Sequence, residues 1–131
     1  MMQRFASASA VASVVIALAE GGLLLIPTPH LESRYLLTSI WCVVPLVWGL
    51  WAMLAPADWI PQRLPMWGAI LGLIAGLLAV FVLDLPSRLA GEPLPAWQRG
   101  IGVPIVIGGY YLLWMLVRRS YRLLTAPSST A

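Results

Sequence analysis

The chain has 131 residues, of which 60% are hydrophobic and 10% charged, and its formal net charge is +3 at pH 7. Soluble domains carry about 25% charged residues, and a soluble domain of this size could not bury so much apolar surface. The basic residues are all arginine, and they do not form the patch, interleaved with aromatic or polar side chains, that is typical of nucleic-acid binders. Composition therefore favours a membrane protein whose partner is the lipid bilayer and not a nucleic acid.

Four long apolar runs fill the chain, at residues 5–26, 35–54, 66–85 and 100–117. At about 1.5 Å of rise per residue, each run is long enough as a helix to cross a hydrocarbon core of about 30 Å. The sequence predicts an all-α membrane protein in which four antiparallel transmembrane helices form a compact bundle. The chain 1–131 would then be a single membrane domain, with no extramembrane domain and a disordered tail at about 123–131.

The arginines are divided unevenly between the connectors and tails. With the N-terminus inside, five arginines lie on the cytoplasmic side and three outside: Arg4, Arg63, Arg118, Arg119 and Arg122 against Arg34, Arg88 and Arg99. The positive-inside rule then predicts a multi-pass protein of the cell membrane with both termini cytoplasmic. The three arginines after the fourth run are interpreted as an orientation signal, because lipid-binding clusters have about four to eight basic residues.

Glu20 is the only ionisable residue well inside any of the runs. A charge at the centre of a bilayer costs about 2.5 to 3.5 kcal/mol on insertion scales, so this carboxylate should be paired, hydrated or protonated. Ser9, Ser13 and Glu20 fall within about 40° of one another on a helical wheel, which favours a polar face directed at the bundle, an oligomer interface or water. Three roles remain open: an ion pair with Arg34, proton or cation binding in transport, or contact with another subunit.

The segment Ala17-Leu18-Ala19-Glu20, with glycine directly behind it, resembles the first helix of the small multidrug resistance transporters. Those proteins are similar four-helix chains that work as dimers around a membrane glutamate. The resemblance covers this short segment and the overall size of the chain. It implies a transport role for Glu20.

The second and third runs carry packing signals. Thr38, Cys42, Pro45 and Gly49 share one face of the second run, and Pro45 predicts a kink because it cannot donate a hydrogen bond to the preceding turn. The third run has small residues at four-residue spacing, namely Gly68, Gly72 and Gly76. Such a stripe lets helix backbones approach closely, so it predicts a tight contact with another helix of the same chain or of a partner.

The fourth run contains the pair Gly108-Gly109 directly before Tyr110 and Tyr111. Two glycines weaken a helix, and a tyrosine hydroxyl in hydrocarbon needs a hydrogen-bond partner. This segment is therefore either a flexible point that permits movement or a packing notch. Together with Glu20 and Ser13, the two tyrosines are the candidate ligand-binding or proton-binding residues.

Catalytic and metal-binding patterns are weak in this sequence. Cys42 is the only cysteine, and His30 with Glu32 provides too few ligands for a zinc site. Asp84 and Arg88 are four residues apart and are expected to form an ion pair or to cap a helix end. We therefore expect no enzymatic activity, no metal and no cofactor.

The sequence favours a non-enzymatic, helix-packing subunit that binds itself or another membrane protein, in a homo-oligomer or a larger membrane complex. The alternative is a small homo-oligomeric transporter or channel in which Glu20 binds a proton or cation. The glycine stripe of the third run supports the first interpretation, and the membrane-embedded carboxylate supports the second.

Overall fold

The computed structural model describes residues 1–25 and 31–126, with side chains from residue 34 onward in the second range. The predictions made for His30 and Glu32, and for the tail from residue 127, therefore lie outside the described residues. Within the described part every regular element is helical.

Five α-helices follow one another in the described residues. They are α1 (Met2–Leu25), α2 (Leu31–Met53), α3 (Leu64–Leu77), α4 (Leu85–Ala90) and α5 (Ala96–Thr125). A 3-10 turn at Ala57–Trp59 lies between α2 and α3, and a π-helical turn at Leu78–Val82 continues α3. Four helical segments are long and apolar enough to cross a membrane, with mean hydropathies from 1.8 to 2.2. The expectation of an all-helical chain with four long apolar helices is confirmed.

The helix ends differ from the predicted runs, most of all in α5. This helix begins at Ala96 and continues through the arginines to Thr125, whose hydroxyl donates to the Tyr121 carbonyl at 2.9 Å. The helix therefore includes residues 123–125, which the sequence assigned to the tail. Arginine and leucine are good helix formers, so the helix continues beyond the point where the apolar run stops.

The third run also ends differently. The π-helical turn is closed by the Leu83 amide, which donates to the Leu78 carbonyl at 3.0 Å. Asp84 follows with a φ of 48° and begins the short helix α4. The segment predicted as one helix to residue 85 therefore stops before Asp84, because a left-handed backbone conformation cannot continue a right-handed helix.

The helices pack in three main pairs: α3 on α5, α1 on α2, and α1 on α5. Their shared core consists of residues that are at most 7% exposed: Ala8, Ala12, Trp48, Ala52, Leu64, Leu71, Trp114 and Val117. The buried core residues of α1 are the small Ala8 and Ala12, whereas α5 contributes the larger Trp114 and Val117.

Candidate functional site

The glycine stripe of α3 is covered by α5 of the same chain. A Cβ atom built at Gly68 would overlap the side chain of Trp114, and one at Gly72 would lie 2.7 Å from Tyr110 Cβ. At Gly76 the nearest atom would be Val106 Cβ at 3.5 Å, an ordinary contact. The stripe therefore allows α5 to approach closely, with the tightest contact at Gly68 and the loosest at Gly76.

A buried aromatic cluster lies where α5 meets α2 and α3. The ring of Trp48 is 5.2 Å from that of Tyr110 and 5.7 Å from that of Trp114, centroid to centroid. Trp114 is fully buried and Trp48 is 2% exposed. Tyr110 packs against this cluster, whereas Tyr111 is 42% exposed on the outside of α5. The structure thus separates the two tyrosines that were predicted together.

The contact between α1 and α2 is centred on Gly49. A Cβ atom there would overlap Ser9 Oγ and the ring of Phe5. The Ser9 hydroxyl donates to the Pro45 carbonyl at 2.8 Å, so the carbonyl of the α2 proline itself has a partner in the neighbouring helix. Sequence analysis placed Gly49 and Pro45 on one face of α2, but not their contact with Ser9.

Ser13 and Glu20 do not join Ser9 at this contact. Ser13 is exposed, and its hydroxyl donates to the Ser9 carbonyl one turn earlier at 2.8 Å. Glu20 is half-buried, and its Oε1 atom is buried without a hydrogen-bond partner among the described residues. The ion pair with Arg34, one of the three roles left open for Glu20, is not found in the described part of the chain. No hydrogen bond in that part brings Ser13, Glu20, Tyr110 and Tyr111 into one site.

The outer face of α1 carries a row of small residues, with the large exposed side chains of Val14 and Leu18 beside it. We call this set the small-residue face: Ala6, Ala10, Ser13, Ala17 and Gly21, all of them exposed. Their spacing of three or four residues places them on one side of the helix, opposite the buried Ala8 and Ala12. A Cβ atom at Gly21 would meet nothing within 4 Å. Glu20 lies at the edge of this face.

The outer faces of the other long helices are different in kind. They expose large apolar side chains, among them Val43, Leu46 and Leu50 on α2, Ile70, Leu73 and Leu77 on α3, and Ile101, Ile105 and Leu112 on α5. Large aliphatic side chains are the ordinary lipid-facing residues of membrane helices. The small-residue face of α1 differs in side-chain size from these surfaces, and it is bordered on α1 itself by the exposed Val14 and Leu18.

A cluster of polar side chains lies in the segment that follows α3. Asp84 Oδ1 accepts from Arg99 Nη1 at 3.3 Å and from the Ser87 hydroxyl at 2.8 Å. The Ser87 hydroxyl in turn accepts from the Leu94 amide at 3.2 Å. This network ties α4 and its connector to the start of α5, so we interpret Asp84 as a structural residue whose partner is Arg99.

Candidate metal ligands are sparse in the described residues. No group of three or more His, Cys, Asp or Glu side chains there is close enough to hold a metal ion. Cys42 is a free, exposed thiol on α2.

Sequence reasoning missed Trp48 and Trp114 as interior residues. Trp114 lies four residues after Tyr110 and three before Val117, a spacing that assigns all three to one helical face. That pattern was the available signal for Trp114. Comparison with protein-family models, curated proteins and solved structures gives no match for this chain.

Proposed function

We propose that the four long helices cross the cell membrane as an antiparallel bundle with both termini in the cytoplasm. Their lengths and hydropathies support spanning. The order of contacts supports opposite directions for α3 and α5, because Gly68 lies against Trp114 while Gly76 lies against Val103. The excess of arginine near the two termini supports the orientation.

Within the membrane, this protein acts as a non-enzymatic, helix-packing subunit of a homo-oligomer or of a larger complex. The observation that carries this proposal is the small-residue face of α1, which the other helices of the chain leave uncovered. Lipid tails are as apolar as leucine, so membrane helices associate through close packing, and small residues are enriched where they do. The α3 glycine stripe is already occupied by α5, which leaves α1 as the association surface.

Glu20 adds a polar anchor at the edge of that face. Its Oε1 atom lacks a partner among the described residues, and a buried carboxylate oxygen without a partner is costly in hydrocarbon. A donor from a neighbouring subunit would satisfy it. Small residues and one acceptor together favour a close helix contact that has a defined register.

The test is the mass of the protein purified natively in mild detergent. We expect the wild type to carry further copies of itself or another protein, and Ala10→Leu with Ala17→Leu to abolish that association because leucine separates the helices. Val47→Leu, on the exposed side of α2, is the matched control and should leave the mass unchanged. A wild type that runs as a lone chain, or α1 variants that associate normally, would contradict the proposal.

A second candidate function is a small homo-oligomeric transporter or channel in which Glu20 binds a proton or cation. It is favoured by the unpartnered Oε1 atom and by Gly108 and Gly109, where a Cβ atom would meet nothing within 4 Å. If Glu20→Gln abolished pH-dependent uptake into proteoliposomes and left the oligomeric state unchanged, transport would replace the subunit proposal. If the wild type moved no solute, the transporter would be the interpretation to abandon.

A further inference from the structure

Five arginines from three distant segments of the sequence lie at one end of the molecule. They come from the start of α1, the connector before α3 and the last turns of α5: Arg4, Arg63, Arg118, Arg119 and Arg122. We call this set the arginine end. The positive-inside rule already predicted these five on one side of the membrane. Only the three on α5 were considered as a lipid-binding cluster, and three are too few because about four to eight basic residues are expected.

Contacts between helix ends produce this grouping. Arg4 Nη1 donates to the Ala55 carbonyl at 3.3 Å, which joins the start of α1 to the end of α2. The indole rings of Trp51 and Trp67 stack with centroids 4.7 Å apart, which joins the end of α2 to the start of α3. The contact of Gly68 with Trp114 then joins the start of α3 to the second half of α5, four residues before Arg118.

The charge at this end is not neutralised within the described part of the chain. None of the five arginines forms an ion pair with a described carboxylate. Arg63, Arg119 and Arg122 are exposed. Asp58, in the 3-10 turn, is the one acidic residue in the segments that meet here, and it is exposed as well. The arginine end is therefore a strongly positive surface on which Arg63, Arg119 and Arg122 are exposed.

The length of α5 places these charges at head-group depth. The helix has 30 residues and is about 45 Å long, against a hydrocarbon core of about 30 Å. Trp97, an interfacial type of residue, lies in the first turn, and Arg118 lies about 32 Å further along the helix. The last two turns therefore extend beyond the hydrocarbon. Leu123 and Leu124 are exposed there beside the arginines, a combination that suits the boundary between head groups and acyl chains.

We propose that the arginine end binds the phosphate head groups of anionic phospholipids in the leaflet that it faces. Guanidinium groups recognise phosphate through paired, charge-assisted hydrogen bonds, and several of them converging on one surface select anionic over zwitterionic lipid. This inference does not depend on the partner of α1. It predicts a lipid preference for the protein whether it is alone or assembled.

The experiment measures relative lipid binding to the purified full-length protein in lipid–detergent mixtures. Brominated anionic or zwitterionic phospholipid quenches the fluorescence of tryptophans at this end, such as Trp51 and Trp67. Comparing the two quenching curves gives the preference of the protein for one lipid class over the other. We expect a clear preference for anionic lipid that falls with rising salt, since exposed charges are screened. Replacing Arg118, Arg119 and Arg122 by glutamine should lower the preference by about a hundredfold, at about fivefold for each arginine.

Two further variants test whether the surface is shared between helices. Arg63→Gln, on an exposed residue outside the core, should also lower the preference about fivefold, while Arg34→Gln at the opposite end is the matched control and should leave it unchanged. Equal quenching by the two lipid classes in the wild type would overturn the proposal. So would an undiminished preference in both arginine variants, or its abolition by millimolar inorganic phosphate, which would indicate binding of any small anion.

Discussion

At the scale of single residues, the α3 glycines differ in how much space α5 leaves them. A Cβ atom built at Gly68 would overlap Trp114, whereas one built at Gly76 would lie 3.5 Å from Val106 Cβ. We expect Gly68→Ala to lower the free energy of unfolding by about 1 to 3 kcal/mol, the usual cost of overpacking. Gly76→Ala should leave it unchanged or raise it by up to about 1 kcal/mol, since alanine favours helix.

Unfolding of both variants in mild detergent, followed by circular dichroism, checks this pair. Each replaces one helical glycine by alanine on the same face of α3, so Gly76→Ala serves as the control for Gly68→Ala. Equal losses in the two variants would contradict the prediction, and no loss at Gly68 would show that α5 shifts to accommodate a methyl group.

The serines of α1 give a second contrast. Ser9 donates to the Pro45 carbonyl across the α1 and α2 contact, while Ser13 donates within its own helix. Interhelical hydrogen bonds in membranes contribute about 0.6 kcal/mol on average. We expect Ser9→Ala to lose about that much stability and Ser13→Ala to change it little, as measured by the same unfolding curves. A larger loss in Ser13→Ala would mean that its exposed side has a partner of its own.

Sequence reasoning identified these residues better than their contacts. The spacing of Gly68, Gly72 and Gly76 indicated a close approach, because a four-residue period alone sets a helix face. It could not name Trp114 as the residue on the other side, since the pairing of two faces depends on how helices are arranged in space. Ser9 and Glu20 share a helical wheel sector, yet they lie 11 residues apart along α1 and meet different surroundings.

At the scale of elements, the junction of α2 with α3 depends on two tryptophans. Trp51 Nε1 donates to the Trp67 carbonyl at 3.0 Å, and Trp67 Nε1 donates to the Trp51 carbonyl at 2.8 Å. The two rings stack between these bonds. Each indole therefore satisfies its polar group on the other helix while its ring fills the contact.

This junction predicts coupling between the two positions. Trp51→Phe and Trp67→Phe each remove one hydrogen bond, which should lower the free energy of unfolding by about 1 kcal/mol. Because the two rings stack on each other, the loss in the double variant should differ from the sum of the two single losses. A double-mutant cycle from unfolding curves measures the coupling free energy between the two positions. Strict additivity would show that the two indoles stabilise the junction independently.

Apolar length predicted the four long helices because composition decides whether a segment belongs in lipid. It did not predict where helices end. α5 continues to Thr125 through residues that are polar but helix-forming, and α3 stops where Asp84 adopts a positive φ. These ends depend on local backbone geometry and on partners such as Arg99, which hydropathy does not register.

At the scale of the whole molecule, charge divides the protein into two ends. The arginine end collects five guanidinium groups, and the opposite end holds the Asp84 and Arg99 ion pair. In the proposed bundle, the connector before α3 and the end of α5 lie on the same side of the membrane, while the connector before α5 lies on the other. The positive-inside rule assigns the arginine end to the cytoplasm.

Single-cysteine labelling in intact cells tests this assignment. In a Cys42→Ser background, a membrane-impermeant thiol reagent should label Glu92→Cys from outside, while Gln62→Cys and Thr125→Cys should react only after the cells are opened. All three positions are exposed, so differences in labelling report sidedness and not burial. The reverse labelling pattern would show that the protein has the opposite orientation in the membrane but would still agree with the bundle. Labelling of Gln62→Cys and Thr125→Cys from opposite sides would instead contradict the bundle, because the contacts of α3 with α5 put these positions at one end.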